Sequence, residues 1–250
     1  MKRKYWFGSL TPISIGVEII ISIIILINCS KDKNPVNPST LTTVTDIDGN
    51  VYQTVKIGNQ LWMAENLKVT HYRNNNAIPN VTDSLAWSNL STGAYCNSDN
   101  NETNVATYGR LYNWFAVNDS RNIAPAGWHV PSDSEWKQLE MYLGMSQEEA
   151  DQDTYRGTEK GGKLKEAGTS HWYDPNEGAT NESGFTALPA GARESNGTFK
   201  NYRGLLAFFW SSTEGSDSDA WFRYLPYDGS EVGRVSSDKK AGCSIRCVKN

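Results

Sequence analysis

The sequence predicts an α+β domain: two central helices, short antiparallel strands around them, and extensive loops. Three observations carry this. Two helix-start signatures stand close together, "PSDSEW" (131–136) and "MSQEE" (145–149), each a serine with a glutamate three residues on. Short β-rich runs bounded by turn residues lie on both sides of them. The 21 glycines in 250 residues, with many asparagines and serines, ask for much irregular backbone.

Taken in order, the N-terminus is a different material. Lys2, Arg3 and Lys4 precede an apolar stretch that is densest at "IIISIIILI" (19–27) and closes with "LINC" at Cys29. A basic head, a short apolar run and a processing region form a secretory signal over residues 1–28. A membrane span needs about 20 apolar residues, and Glu18 interrupts this run. Cys29 resembles the lipidated cysteine of bacterial lipoproteins, with Asn28 where Gly, Ala or Ser is usual. That implies a lipid anchor on Cys29 and a place in the bacterial cell envelope, at the outer membrane or cell surface. Residues 29–44, rich in Pro, Ser and Asn without periodicity, read as a flexible tether. The domain is then 45–250, long enough for a substantial core. Losing Lys2, Arg3, Lys4 and Glu18 leaves 21 basic and 27 acidic side chains, a net charge of −6. That balance argues against nucleic acid, which rewards a basic face.

Within the domain, "DIDGNVYQTVKIGNQLWMAENL" (46–67) reads as two short strands around the Gly58-Asn59 turn. Residues 70–104 hold no sustained hydrophobic period and read as long loops. "YGRLYNWFAV" (108–117) has the spacing of a short helix. Next comes "GWHVPSDSEW" (127–136), which crowds a histidine, two carboxylates and two serines between tryptophans. An acid, a base and a nucleophile would look like this, and so does a helix start. Ser132 and Glu135 form a capping box, Pro131 and Trp136 suit the accompanying staple, and Asp133 favours the positive end of the dipole. The helix runs from about 133 to 143 and stops at Gly144, and Ser146 with Glu149 starts a second, shorter one. His129 has no local catalytic partner and reads as a packed or hydrogen-bonded histidine. Beyond Gly161 the runs "SGFTALPAGARE", "FFWSSTEGS", "DAWFRYL" and "GCSIRCVKN" read as strands and turns. The eight tryptophans left after signal removal sit beside glycine or in strand-like runs, where core packing is expected.

The motifs "VYQTVKIGNQLWMAENL", "ATYGRLYNWFAV", "GWHVPSDSEW", "GGKLKEAGTSHW", "ATNESGFTALPAGAR", "FWSSTE", "AWFRYL" and "SIRCV" follow one another in a fixed order. In that order they resemble the Fibrobacter succinogenes major paralogous domain, a family of secreted or lipid-anchored bacterial domains, from about residue 46 to the C-terminus. The resemblance implies a C-type-lectin-like fold, distantly similar to formylglycine-generating enzymes. It implies fold far more than activity.

Two functions of different class follow. One is a binding module that presents a loop-rich C-terminal face, 223–240, to a glycan or protein ligand. By resemblance, Leu225, Tyr227, Val232 and Arg234 are framework. Tyr224, Asp228, Gly229, Glu231, Gly233, Ser236, Ser237 and Asp238 fall where the family tolerates change and are the expected ligand-binding residues. Their Tyr, Ser, Gly and Asp palette is that of adaptable paratopes, and also that of an ordinary polar hairpin. The other is an oxidase like the formylglycine-generating enzymes. Trp221 and Pro226 stand where those enzymes carry cysteines, so the expectation is no enzyme and no cofactor. His71, His129 and His171 show no metal spacing. "NSDNNET" and "EGSDSD" read as solvated turns rather than calcium loops, so no metal is expected.

Three thiols remain once Cys29 carries lipid. Cys243 and Cys247, if extended, lie about 13 Å apart, beyond the roughly 7 Å reach of a bridge. Relatives often carry a cysteine where this chain has Ala124, so the resemblance leaves Cys247 without that partner. Cys96 is the remaining distant thiol, and a Cys96–Cys247 disulfide is expected, with Cys96–Cys243 as the alternative.

Overall fold

The Gly58-Asn59 turn closes the first hairpin, as its sequence predicts. Structure is described here for residues 42–250, from a computed structural model. The signal segment, Cys29 and the tether as far as Leu41 lie outside the described residues. Strand β1 (Thr43–Thr45) pairs antiparallel with β2 (Val51–Ile57), which pairs with β3 (Gln60–Met63). Ile57 faces Gln60 across the turn, and Gly58 takes φ +61°, where a side chain would be strained. Alternation in "VYQTVKI" buries Tyr52 and Thr54 on one face, and Ile57 at the strand's end turns to the other face and packs in the cluster around Trp136.

The polar stretch that follows is mostly loop, held by short pieces. These are α1 (Ser84–Ser88), β4 (Tyr95–Asn97), α2 (Val105–Tyr108), β5 (Arg110–Tyr112) and α3 (Trp114–Val117). The helix expected over 108–117 is therefore corrected. Gly109 and Asn113 break it into a strand between two single turns, and Asn113 caps the second by accepting from the Ala116 amide. Tyr112 then pairs with both Tyr95 and Cys243, and those ladder bonds outweigh helical spacing over so short a run.

Strand β6 (Trp128–His129) leads into α4 (Asp133–Tyr142), and α5 (Gln147–Asp151) follows. Both helices begin with a complete capping box, Ser132 with Glu135 and Ser146 with Glu149. The C-terminal sheet comes next: β7 (Thr154–Arg156), β8 (Leu206–Glu214), β9 (Asp219–Pro226) and β10 (Val232–Asp238). Its order is β7-β10-β9-β8, all antiparallel. The last strand, β11 (Val248–Lys249), returns to the first sheet in the order β1-β2-β3-β11-β6, where Val248 faces both Trp62 and His129. The architecture is α+β. The run 183–194 makes isolated bridges, Lys165 to Ala187 and Gly191 to Ala207, instead of the expected strand.

Trp62, Trp87, Trp114, Trp128, Trp136, Trp172 and Trp210 are buried, as expected of core residues. Trp136 of α4 is the hub of one cluster, with ring centroids 4.9 Å from Trp62, 5.7 Å from Phe185 and 5.8 Å from Phe209. The arginine of "SIRCV", Arg246, is fully buried in the same region. It donates to the Asn66 side chain at 2.6 Å and to the carbonyls of Met63, Phe185 and Thr186. Four backbone or amide acceptors thus satisfy a buried charge and tie the C-terminal segment to the first sheet.

The expected disulfide is corrected: Cys96, Cys243 and Cys247 are free and buried. Cys96 faces Leu111 across the β4–β5 pair and packs in a cluster with Trp87 and Ala190. Cys243 pairs with Tyr112, the next residue along, and so points to the other side, into the main cluster that also holds Cys247. Burial pushes the Cys96 thiol up to about 12, and the other two thiols upward as well.

Candidate functional site

Strands β8 to β10 carry large side chains on both faces, and the two faces differ in chemistry. On one, Arg223 of β9 and Arg234 of β10 stand opposite each other and meet α4. Arg223 donates to Glu140 at 2.6 Å and to Asp133 at 2.8 Å, and Arg234 forks onto both oxygens of Asp133 at 2.9 Å. Arg156 of β7 completes the network on Glu140, whose side chain has no exposed surface. Burial pushes the Asp133 carboxyl up, but the hydrogen bonds and charges of Arg234 and Arg223 outweigh it and hold the group well below the usual carboxylate range. The carboxylates of "PSDSEW" are therefore scaffold. Asp133 clamps two strands, and Glu135 serves the capping box and His129 together.

His129 is hydrogen-bonded at both nitrogens, to Asn250 at 2.7 Å and Glu135 at 2.8 Å. The other two histidines also face carboxylates, His71 with Asp48 at 2.7 Å and His171 with Glu166 at 2.9 Å. Among the described residues, no three His, Cys, Asp or Glu side chains are grouped to hold a metal ion.

The opposite face is aromatic. Trp210 and Phe222 stand side by side at 5.8 Å and belong to the main core cluster. From Phe222 the rings continue outward to Phe208 (5.8 Å) and Tyr224 (6.1 Å). Phe208 and Tyr224 lie nearly parallel, 27° apart with centroids at 6.0 Å. Tyr155 of β7 then meets Tyr224 at 5.1 Å, and Tyr202 meets Phe208 at 5.7 Å. Exposure rises along this strip from Trp210 (0%) through Phe222 (8%) to Tyr155 (54%). One end is core and the other is surface.

Gly233 makes the strip possible. A Cβ there would lie 1.9 Å from the Tyr224 ring, so the tyrosine rests on bare backbone. Beside the strip, the 192–202 loop walls a pocket of about 150 Å³, lined by Tyr202, Phe208, Phe222, Ser195, Ser237 and Ala192 among others. The wall is held from behind. Buried Arg193 donates to the carbonyls of Gly197, Val81 and Thr82 and stacks 4.4 Å from the Trp87 ring. Glu194 at the mouth pairs with Lys200 at 3.3 Å.

The eight expected ligand-binding residues do not form one face. Tyr224, Gly233 and Ser237 belong to the aromatic strip and its pocket. Asp228, Gly229 and Glu231 belong to the β9–β10 turn, which closes around a buried lysine. Lys165 donates to the carbonyls of Glu177 and Gly229 at 2.8 Å and of Pro226 at 2.9 Å. Burial pushes this amine down, to about 8, against the pull of the Glu177, Asp228 and Glu231 carboxylates. Ser236 pairs with Trp221, on the side of the arginine network. Asp238 accepts from the Lys240 amide and shapes a turn. Expected framework and expected variable positions therefore mix, because strand alternation sends neighbours to opposite faces.

Tyr155, Tyr202, Phe208 and Phe222 escaped the sequence reading. The signal was present in "LAFFW", where consecutive aromatics in a strand must line both faces of the sheet. Trp221 has the Arg234 guanidinium 3.8 Å from its ring, and the Pro226 carbonyl accepts from Lys165. The model of the Fibrobacter succinogenes major domain matches residues 55–249. No curated protein and no solved structure matches the chain.

Proposed function

We propose, from the premise that this chain belongs to the Fibrobacter succinogenes major domain family, that it is a lipid-anchored binding module of the bacterial cell envelope. The domain takes a C-type-lectin-like frame and offers the aromatic face of its C-terminal sheet to a glycan or protein ligand outside the cell. The observation that carries the reading is the strip itself. Aromatic rings that run from the core out to a half-exposed Tyr155 on a strand framework are expensive to keep wet, and such patches mark interaction sites. The network behind them fixes their positions before any ligand arrives, which lowers the ordering cost of binding. The basic head, the apolar run and Cys29 support the anchor.

The reading includes no catalytic step, no cofactor and no nucleic-acid partner. Full-length protein displayed on cells should bind immobilised host or bacterial polysaccharides, or defined surface proteins, saturably. Tyr224→Ala should abolish that binding with the fold intact by circular dichroism. A fatty-acid probe should label the wild type and leave Cys29→Ser unlabelled. Absence of saturable binding to every surface, or binding indifferent to Tyr224, would sink the module reading; equal labelling of both proteins would sink the anchor.

A further inference from the structure

We propose that the pocket beside the strip receives one neutral pyranose ring, with the rest of a neutral oligosaccharide lying along Tyr224 and Tyr155. This rests on the binding-module reading and names its ligand class. Size is the first argument. A cavity of roughly 150 Å³ holds a benzene-sized ring, and this pocket has about that volume and is open on one side, so it can seat one edge of a pyranose whose remaining hydroxyls face solvent. It is too small for a drug-sized ligand, which needs at least about 300 Å³.

Chemistry is the second argument. Phe208, Phe222 and Tyr202 line the pocket with aromatic carbon, and the negative quadrupole of a ring face attracts the C–H groups of a sugar's apolar face. Ser195 and Ser237 line the same pocket and offer hydroxyls to the ring's equatorial oxygens. A pyranose is amphipathic in this way. A phenyl or alkyl group would leave the serines facing nothing.

Charge is the third. Glu194 is paired with Lys200, and Arg193 spends its donors on three carbonyls and its π-faces on Trp87 and Phe199. Neither an anionic nor a cationic sugar finds an uncompensated partner among these side chains. Area decides against a protein. Five aromatic side chains that bury about 150–250 Å² each when fully covered, of which Tyr155 is about half exposed and the others mostly covered, leave roughly 300 Å² free. A stable protein interface takes about 800 Å² per partner.

Saturation-transfer NMR on the full chain in detergent tests this with methyl β-glucoside, galactoside and mannoside, each beside its uronic acid. At least one neutral glycoside should receive saturable transfer, strongest at the C–H groups of one ring face, and its uronic acid should bind no better. Tyr202→Ala, on the loop, and Phe208→Leu, which keeps an apolar strand residue, should each weaken binding by about tenfold. No transfer to any neutral glycoside, a preference for the uronic acid, or indifference to both substitutions would overturn the proposal. If polysaccharides or surface proteins still bound in a Tyr224-dependent way while every neutral glycoside failed, only the sugar assignment would fall. Loss of all binding would remove both.

Discussion

The two faces of strands β8 to β10 make a natural comparison, because the same backbone carries both. Towards α4 a buried, paired charge network, Arg156, Arg223 and Arg234 against Glu140 and Asp133, is set among apolar residues such as Phe209 and Leu225 that pack on Trp136. Away from α4 the side chains are aromatic and grade from core to surface within a few residues. A one-residue slip of β9 would swap its faces, placing Arg223 in the aromatic cluster and the rings of Phe222 and Tyr224 against carboxylates, and a slip of β10 would turn Arg234 away from Asp133. The charged face therefore specifies register, and the aromatic face inherits a fixed geometry from it. Rigidity is built on one side, and contact surface is left on the other.

On that division the largest effect belongs to the charged side. Glu140→Ala should cost about 3–5 kcal/mol in urea unfolding, because it strands Arg156 and Arg223 in a site that excludes water. A change below about 1 kcal/mol would mean that the arginines find other partners and that the network does not hold the sheet. Gly233→Ala comes next, at about 1–3 kcal/mol, because the new methyl displaces the Tyr224 ring. Combined with Tyr224→Ala, it should cost markedly less than the sum of the two, since the clash is gone. Additivity would show that the ring does not rest on that glycine. Smallest is Ser132→Ala, at about 1 kcal/mol for the lost cap. Calorimetry should find it additive with Tyr224→Ala, because cap and strip share no partner.

What was legible follows from how local each cause is. The capping boxes at Ser132 and Ser146 and the turn at Gly58 are decided by residues within a few positions of each other, and the structure has them. The helix expected over 108–117 fails because Tyr112 answers to Cys243, far along the chain. The disulfide fails for a related reason: which side of a strand Cys96 faces depends on a pairing that spacing does not reveal. Of the expected ligand-binding residues, Tyr224, Gly233 and Ser237 lie together because they share one face of the sheet. Phe208 and Tyr202 were missed because a strand in another part of the sequence, and a loop, bring them alongside.

The lysine at the heart of the β9–β10 turn has a consequence for alkaline stability. An ammonium held by three carbonyls looks like a fastener. Yet burial lowers the Lys165 amine to about 8, while in the unfolded chain it keeps its ordinary value near 10.5. Between those two values the unfolded chain binds the proton more tightly than the folded one, so this residue's contribution to folding rises with pH across that window. Below about 8 the whole cost of enclosing a charge is present, and the carbonyls of Glu177, Pro226 and Gly229 only offset it. The turn beside the aromatic strip thus carries a built-in cation as a load at neutral pH and sheds it in mild alkali.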